Sequence, residues 1–368
     1  MLKDTIRFHL FPAQFTEKES QLAEYGEFIA SGFRYPSGVC ALRLKNNLGE
    51  LVLLPFQGQQ IWDANMLGRR LTMKSMFNQP YPTRDFLSTY GAFLLHCGAT
   101  AMGVPGPQDQ HPLHGDLPNA PYSEAWLELG QDENGAFIGL GGYYTHTLAF
   151  NYHYRAEPLV KIYAGSSVFH VSMTITNLKQ SKMPLMYLAH VNFRPVDNGR
   201  LVSTVEATPE HMRVRADFPD FMEVDPAFRQ FVQELKTNPQ KHTQLKTEMK
   251  YDPELVFFMD YYADSQGWAH SLQIHPDGSA DVVRHRTTQL NHTLRWICRT
   301  PDQDAIGFEP ATAEGTGYSS EKDKGNLRWL APEERFHCDL QIGVLTSEEA
   351  ALQEQRLHTL AYEISRHD

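Results

Sequence analysis

Three short segments of the sequence carry side chains that can exchange protons. The first is LAHVNF (188–193), where His190 and Asn192 stand two residues apart and would leave the same face of a β-strand. The second is AIGFEPAT (305–312), an apolar run with one carboxylate, Glu309, where an acid is costly unless it is paired or functional. A histidine and a carboxylate that meet can act as general acid and general base. A satisfied polar pair and an edge-strand charge are the ordinary alternatives.

The third segment is HPLHGDLP (111–118), which follows a stretch rich in glycine and proline. Such a stretch indicates a loop or a strand entry, and loops on a rigid sheet often carry function. His111 and His114 are three residues apart, but Pro112 argues against the helix that would turn both rings toward one metal ion. We therefore expect no metal site here. The alternative for both histidines is a loop side chain bonded to the backbone.

The composition is that of a globular protein with a substantial core. Hydrophobic residues make up 41% of the 368 residues and charged residues 21%. The net charge is −11 and the isoelectric point about 5.8, with no dense run of lysine and arginine, so nucleic-acid binding is not expected. The N-terminus has no apolar stretch that suits a signal peptide, and no run of about 18 apolar residues suits a membrane span.

The cysteines are far apart in the sequence and show no CxxC spacing. They are Cys40, Cys97, Cys298 and Cys338. In a chain of this size, such cysteines are expected to be reduced, mostly buried thiols rather than zinc ligands. We therefore expect a cytoplasmic protein, monomeric or homodimeric, that binds neither nucleic acid nor membrane.

Strand patterns dominate the chain. GVCALRLKNNLGELVLLP (38–55) has two apolar runs joined by NNLG and predicts a hairpin. SSVFHVSMTITNL (166–178) alternates, with Phe169, Val171, Met173 and Ile175 on one face. WAHSLQIHPDGSADVVRHR (268–286) has a turn at PDG between two strands, and FHCDLQIGVL (336–345) predicts a late strand.

Helix signals are few. DPAFRQFVQELKT (225–237) begins with Asp-Pro and has helical apolar spacing, and Thr346 with Glu349 forms a capping box before the tail. The apolar stripe of that tail helix is Leu357, Leu360, Ala361 and Ile364.

These patterns predict an all-β protein built as one large antiparallel β-sandwich with few helices. We expect a single domain over residues 1–368, with a core at about 38–345 and a C-terminal helix at about 347–366, because the sequence has no repeat and no linker. The chain lacks GxGxxG after a strand, GxxxxGK[ST], GxSxG and HExxH. The common nucleotide, serine-hydrolase and zinc-protease sites are therefore disfavoured.

Taken in order, the three segments resemble the aldose 1-epimerase, or galactose mutarotase-like, superfamily in a divergent bacterial branch. The features shared are HG after a Gly/Pro-rich stretch, a histidine-x-asparagine at a strand end, and an apolar run ending in Glu-Pro. GNLRWLAPEERFHCDLQIGVL (325–345) adds the G-x-L-x-x-L-x-P-x-E stretch that precedes the last strand in that superfamily. The resemblance covers about residues 38 to 345.

The resemblance implies a β-supersandwich that binds a small carbohydrate on its concave face and needs no cofactor. It implies that His190 is the general acid, that Glu309 is the general base, and that His114 positions the sugar ring. Members of the superfamily also use an arginine before the HG motif and an aspartate between acid and base. The candidates here are Arg69, Arg70 or Arg84 for the first and Asp260 for the second.

The implied reaction interconverts the two anomers of a sugar through its open-chain aldehyde. It needs one proton donor and one acceptor, and no electron transfer. We expect His114, His190 and Glu309 to line one concave cleft, with His190 and Glu309 facing each other across a gap wide enough for a pyranose. A nearby carboxylate should raise the pKa of His190 and keep it charged. The activity should then fall at low pH as Glu309 protonates and at high pH as His190 deprotonates, while Asn192 bonds a sugar hydroxyl or satisfies the strand end.

Two other functions remain open at this point. The chain could be a carbohydrate-binding protein that keeps the fold without catalysis, since a fold does not fix a function. It could also be a carbohydrate lyase or hydrolase, which would need a catalytic tyrosine or a second carboxylate at the site. The sequence does not name the sugar or say whether it carries a phosphate.

Overall fold

The computed structural model describes residues 5–218 and 224–364. Its strands begin with β1 (Ile6–Leu10), β2 (Ser20–Tyr25), β3 (Phe28–Arg34), β4 (Cys40–Asn46), β5 (Gly49–Leu53), β6 (Ile61–Met66), β7 (Arg69–Arg70), β8 (Leu94–Ala99), β9 (Glu124–Asp132), β10 (Gly135–Leu148) and β11 (Tyr152–Tyr163). They continue with β12 (Val168–Asn177), β13 (Met183–Phe193), β14 (Arg200–Ser203), β15 (Met212–Val214), β16 (Tyr251–Met259), β17 (Trp268–Ile274), β18 (Ala280–Arg286), β19 (His292–Arg299), β20 (Asp304–Ala311), β21 (Arg328–Leu330) and β22 (Arg335–Leu345). The α-helices are α1 (Pro226–Leu235), α2 (Tyr318–Asp323) and α3 (Ser347–Ile364).

The strands form two antiparallel sheets. The nine-strand sheet has the order β1-β9-β10-β11-β12-β22-β18-β17-β14. The thirteen-strand sheet has the order β15-β16-β19-β20-β13-β8-β6-β5-β4-β3-β2, with β21 beside β13 and β7 beside β6. Strands distant in sequence therefore become neighbours, and β20 lies directly against β13.

The main core lies between the two sheets and follows the period of two along each strand. The predicted face of β12 is fully buried there and packs in the same cluster as Tyr187, Val191 and Phe193 of β13. The predicted hairpin forms between β4 and β5, and the predicted PDG turn joins β17 to β18. The late strand is β22.

A second apolar cluster covers the opposite face of the thirteen-strand sheet. It includes Met186 and Leu188 of β13, Cys97 of β8 and Trp296 of β19. Loops that carry Phe86 and other aromatic residues lie over it. We call this the site face. It carries the side chains of β13 that point away from the main core. All four cysteines are free and buried, as expected.

The predicted helices form where their caps were expected. Asp225 caps α1 by accepting hydrogen bonds from the backbone N–H groups of Ala227 and Phe228. Thr346 and Glu349 form the capping box of α3, because the Glu349 carboxylate accepts from the Thr346 N–H at 2.8 Å. No helix within residues 5–218 and 224–364 is long and apolar enough to cross a membrane.

The predicted apolar stripe of α3 is only partly correct. Leu357 is buried, but Ala361 is exposed, and the buried side of the helix is completed by Ala350 and Gln353. Gln353 is buried because its amide bonds the His270 ring at 3.2 Å, a polar contact that an apolar pattern does not reveal. Residues 365 and 366 of the expected helix lie outside the described residues.

We predict that Phe193→Ala destabilises the protein by about 3–5 kcal/mol, because it empties a well-packed part of the main core. The Phe193 ring is fully buried, 4.9 Å from the Phe93 ring and 5.7 Å from the Phe308 ring, centroid to centroid. Urea unfolding measures the change in the free energy of unfolding. Phe150→Ala is the control, because the Phe150 side chain is fully exposed and its loss should change stability little. Equal effects of the two substitutions would contradict the packing described here.

Candidate active site

Two neighbouring strands bring His190 and Glu309 into contact. β13 and β20 pair antiparallel with Leu188 opposite Ala311 and Val191 opposite Phe308, which sets His190 opposite Glu309. Both side chains project from the site face, and His190 Nδ1 lies 3.3 Å from Glu309 Oε1. The contact is not aligned as a hydrogen bond, and neither atom has another hydrogen-bond partner within the described chain. The two residues are 5% and 3% exposed.

The expected gap between His190 and Glu309 is therefore absent. Directly opposed residues of antiparallel strands have Cβ atoms about 4.5–5.5 Å apart, which leaves no room for a pyranose between them. The expectation failed because the sequence does not reveal that β20 is the neighbour of β13. A ligand would have to lie against the pair rather than between its members.

His114 joins the pair from the loop between β8 and β9. Its ring centroid lies 5.4 Å from that of His190 and 4.7 Å from that of Phe86. His114 has a left-handed backbone, φ +59°, and Gly115 follows at φ +82°. A Cβ on Gly115 would lie 2.2 Å from the Ala101 carbonyl oxygen, so this close approach requires glycine. The loop thus brings together the three residues that the sequence singled out.

Asn192 lies on the same face of β13 as His190 but is fully buried. Its Nδ2 donates to the Ala92 carbonyl oxygen at 3.1 Å, and its Oδ1 accepts from the Tyr90 hydroxyl at 3.4 Å. These bonds satisfy the amide within the protein. Asn192 thus satisfies backbone and side-chain groups at the strand end, and its bonds do not support direct contact with a sugar hydroxyl.

Further residues lie around the pair and were not found from the sequence. The Tyr90 hydroxyl lies 3.2 Å from His190 Nε2, and the Trp296 ring packs edge-on against the His190 ring at 5.7 Å. Trp296 Nε1 donates to Glu254 at 2.7 Å, and Arg215 forms an ion pair with the same carboxylate. The positions of Trp296 and Glu254 fit the alternation of their strands. The same alternation occurs in any half-buried strand, so it does not mark either residue as part of a site. Tyr90 comes from a loop that has no periodic pattern at all.

Gly307 makes space for the Glu309 carboxyl. The two residues share a face of β20, and a Cβ on Gly307 would lie 2.2 Å from Glu309 Oε1 and 3.0 Å from the Trp296 Cβ. Any larger residue at this position must therefore move the carboxyl or the Trp296 side chain. Gly307 is a positioning residue for Glu309.

Removal from water dominates the protonation of the site. Burial raises the pKa of Glu309 well above its ordinary value, and the Glu254 carboxylate adds to the rise. Burial lowers the pKa of His190 well below its ordinary value, and the neighbouring His114 ring acts in the same direction. Burial also lowers the pKa of His114 to about 4. The expectation that a nearby carboxylate raises the pKa of His190 is therefore wrong, because burial lowers this pKa and also raises the pKa of Glu309, which disfavours the carboxylate form.

The other candidates from the sequence lie in ordinary contacts. Arg69 pairs with the buried Asp281, Arg70 with Asp63 and Asp260 with Arg213. Arg84 donates to the carbonyl oxygens of Asp116 and Asn119, just after the segment that carries His114.

His111 corresponds to the ordinary interpretation of a loop histidine. Its Nε2 accepts from the backbone N–H of Tyr318, and its Nδ1 lies 2.9 Å from the Pro112 carbonyl oxygen. Across the described ranges, no group of three or more histidine, cysteine, aspartate or glutamate residues is arranged to hold a metal ion.

Comparison with known proteins identifies the family. Residues 36–344 match the family described as Domain of unknown function (DUF4432). The chain belongs to this family. No curated protein matches the sequence.

Solved structures with the same fold include one from Klebsiella pneumoniae subsp. pneumoniae, described as a candidate aldose 1-epimerase. It has a TM-score of 0.80 and 16% identity, and the match covers 97% of this chain and 96% of that one. A galactose mutarotase-like protein from Clostridium acetobutylicum has a TM-score of 0.55 and 11% identity, covering 89% and 98% of the two chains. A candidate aldose 1-epimerase from Escherichia coli K12 has a TM-score of 0.53 and 17% identity, covering 80% and 95%. These likenesses confirm the predicted galactose mutarotase-like fold.

We predict that Glu309→Gln changes the pH dependence of stability. Between the ordinary carboxyl pKa and the raised one, the folded chain keeps a proton that the unfolded chain has lost, so folding grows less favourable as pH rises. Replacing Glu309 should remove this pH-dependent loss of stability. As pH rises, the variant should therefore gain stability relative to wild type by up to about 1.4 kcal/mol per pH unit.

Urea unfolding at several pH values between 5 and 8 measures this difference. Glu17→Gln is the matched control, because Glu17 is exposed and the same amide replaces it. A constant offset between Glu309→Gln and wild type at every pH would mean that Glu309 is ionised in the folded protein.

Proposed function

We propose that the protein is a cofactor-independent sugar epimerase of the mutarotase type, which interconverts the anomers of an aldose or related sugar by acid–base catalysis. The observation that carries the proposal is the contact between His190 and Glu309, 3.3 Å apart and almost fully buried on the site face. His114 stands beside the pair and supports a role in orienting the sugar. The likeness of the fold to candidate aldose 1-epimerases is in agreement.

The chemistry requires one proton to reach the ring oxygen while another leaves the anomeric hydroxyl. In the proposed first step, Glu309 gives its proton to the ring oxygen and His190 Nδ1 takes the proton of the hydroxyl. The ring opens to the aldehyde, the C1–C2 bond rotates, and closure reverses both transfers. These starting roles are opposite to those that the resemblance implies, because burial raises the pKa of Glu309 and lowers that of His190, which favours the protonated carboxyl and the neutral ring.

We predict that Glu309→Gln and His190→Asn each lower kcat by about 10²–10⁴-fold, because each removes one partner of the acid–base couple. Sugar affinity should change little. The double variant should lose much less than the product of the two single losses, since the residues act as one unit. NMR exchange between anomers, screened over free and phosphorylated hexoses, pentoses and uncommon sugars, supplies both the substrate and the rates.

The control for these variants is His96→Asn. His96 is equally buried on the adjacent strand β8, but it belongs to the other face, where its Nδ1 lies 2.7 Å from the Tyr187 hydroxyl. Its loss should affect stability rather than turnover. Near-normal turnover of Glu309→Gln, on a sugar that the wild type clearly converts, would remove Glu309 from the mechanism.

We predict a bell-shaped pH profile whose two limbs identify the roles. The acid limb should belong to protonation of His190 and the alkaline limb to ionisation of Glu309, because one pKa is lowered and the other raised. The residual activity of Glu309→Gln should therefore lose the alkaline limb, and that of His190→Asn the acid limb. The opposite pattern would restore the roles that the resemblance implies. Sugar binding by calorimetry without any faster exchange would instead favour a carbohydrate-binding protein.

A further inference from the structure

The second nitrogen of the His190 ring has a partner of its own. Nε2 lies 3.2 Å from the Tyr90 hydroxyl, which also reaches Asn192 Oδ1 at 3.4 Å. Tyr90 is 8% exposed and Asn192 is fully buried, so water does not compete freely for these bonds. The four groups form a chain that runs from Glu309 through His190 and Tyr90 to Asn192.

The direction of this chain is fixed at its Asn192 end. The backbone carbonyl of Ala92 can only accept, so the amide nitrogen of Asn192 must face it, at 3.1 Å. The amide oxygen then faces Tyr90 at 3.4 Å and can only accept, so the phenol donates its proton there when both of its contacts are hydrogen bonds. The Tyr90 oxygen is thus left as the acceptor toward His190.

An acceptor at Tyr90 requires a hydrogen on His190 Nε2. If the ring is neutral, Nδ1 then carries a lone pair and lies 3.3 Å from Glu309 Oε1. Two lone pairs at that distance repel, and a proton on Oε1 relieves this repulsion. A proton that moves from Oε1 to Nδ1 converts the neutral pair into carboxylate and imidazolium, with no atom gained or lost.

We propose that Tyr90 and Asn192 are positioning residues that hold His190 in the Nε2–H form, so that Nδ1 is the nitrogen that takes and gives the catalytic proton. The importance of this for turnover rests on the proposed function, but the form of the ring does not. Nδ1 is then the ring nitrogen that lies beside Glu309 Oε1. Tyr90 is not required to contact the ligand.

The first test is nitrogen-15 NMR of wild-type protein labelled in its histidine rings, near neutral pH. The His190 signals are assigned by their loss in His190→Asn. We expect Nε2 to carry the hydrogen and Nδ1 to show either a lone pair or the shift of a shared proton. A neutral ring with its hydrogen on Nδ1 would overturn the proposal. This measurement decides the question even if a variant at position 90 does not fold.

The second test is Tyr90→Phe, which removes only the hydroxyl. The Nε2–H group loses its acceptor, so the form with hydrogen on Nδ1, bonded to an ionised Glu309, should become populated. The pH at which the pair releases its proton should fall by about one unit, the size of one hydrogen bond. An unchanged ring form and an unchanged titration would overturn the proposal.

The matched control is Tyr122→Phe. The Tyr122 hydroxyl is also buried, but it has no hydrogen-bond partner within residues 5–218 and 224–364. Its removal should leave the His190 signals in place, and a shift equal to that of Tyr90→Phe would reveal a general effect of losing a buried hydroxyl. That outcome would count against the proposal.

Kinetics separates this proposal from the proposed function. With a sugar that the wild type converts, Tyr90→Phe should lower kcat and move the alkaline limb of the pH profile to lower pH, while KM stays nearly constant. A merely structural role would leave both limbs in place. If no sugar is converted, the proposed function fails, whereas the wild-type spectrum still supports or overturns the form of the His190 ring.

Discussion

The arrangement of the site depends on taking one carboxyl and one imidazole out of water at the same place. Glu309 and His190 are both almost fully buried, 3.3 Å apart, with aromatic rings beside them. A lone charge on either group would be costly there, whereas a single shared proton lets the pair be neutral or form an internal ion pair. Because the two groups are in contact and buried, a charge on one changes the free energy of charging the other.

The fold provides this contact through ordinary features of antiparallel sheets. The period of two directs Phe193 and Phe308 into the main core while His190 and Glu309 leave the opposite face. Pairing of β13 with β20 sets the two polar residues opposite each other, so rigid packing on one face fixes a distance on the other. The contact also requires glycine at position 307, since a side chain there would occupy the space of the Glu309 carboxyl.

Sequence patterns predicted the elements of this protein better than the relations between them. Alternation predicted strands such as β4, β5, β12 and β22, and capping signals predicted α1 and α3 but not α2. The common face of His190 and Asn192 follows from the period alone. The distance between His190 and Glu309 depends on a strand pairing that joins remote parts of the chain, which no local pattern contains. Tyr90 was missed because a loop residue has no period, and the satisfied amide of Asn192 depends on its partners.

In the proposed reaction, the net charge of the His190–Glu309 pair matters because the pair is buried. A ligand that gains a proton from Glu309 and loses one to His190 leaves the pair with the same net charge before and after the transfer. The buried site therefore avoids the cost of an uncompensated charge in both halves of a ring opening and closing. Separate groups in water would gain little from this, because water stabilises each charge independently. The value of the contact thus comes from its burial, and burial in turn comes from the strand pairing and the aromatic cover of the site face.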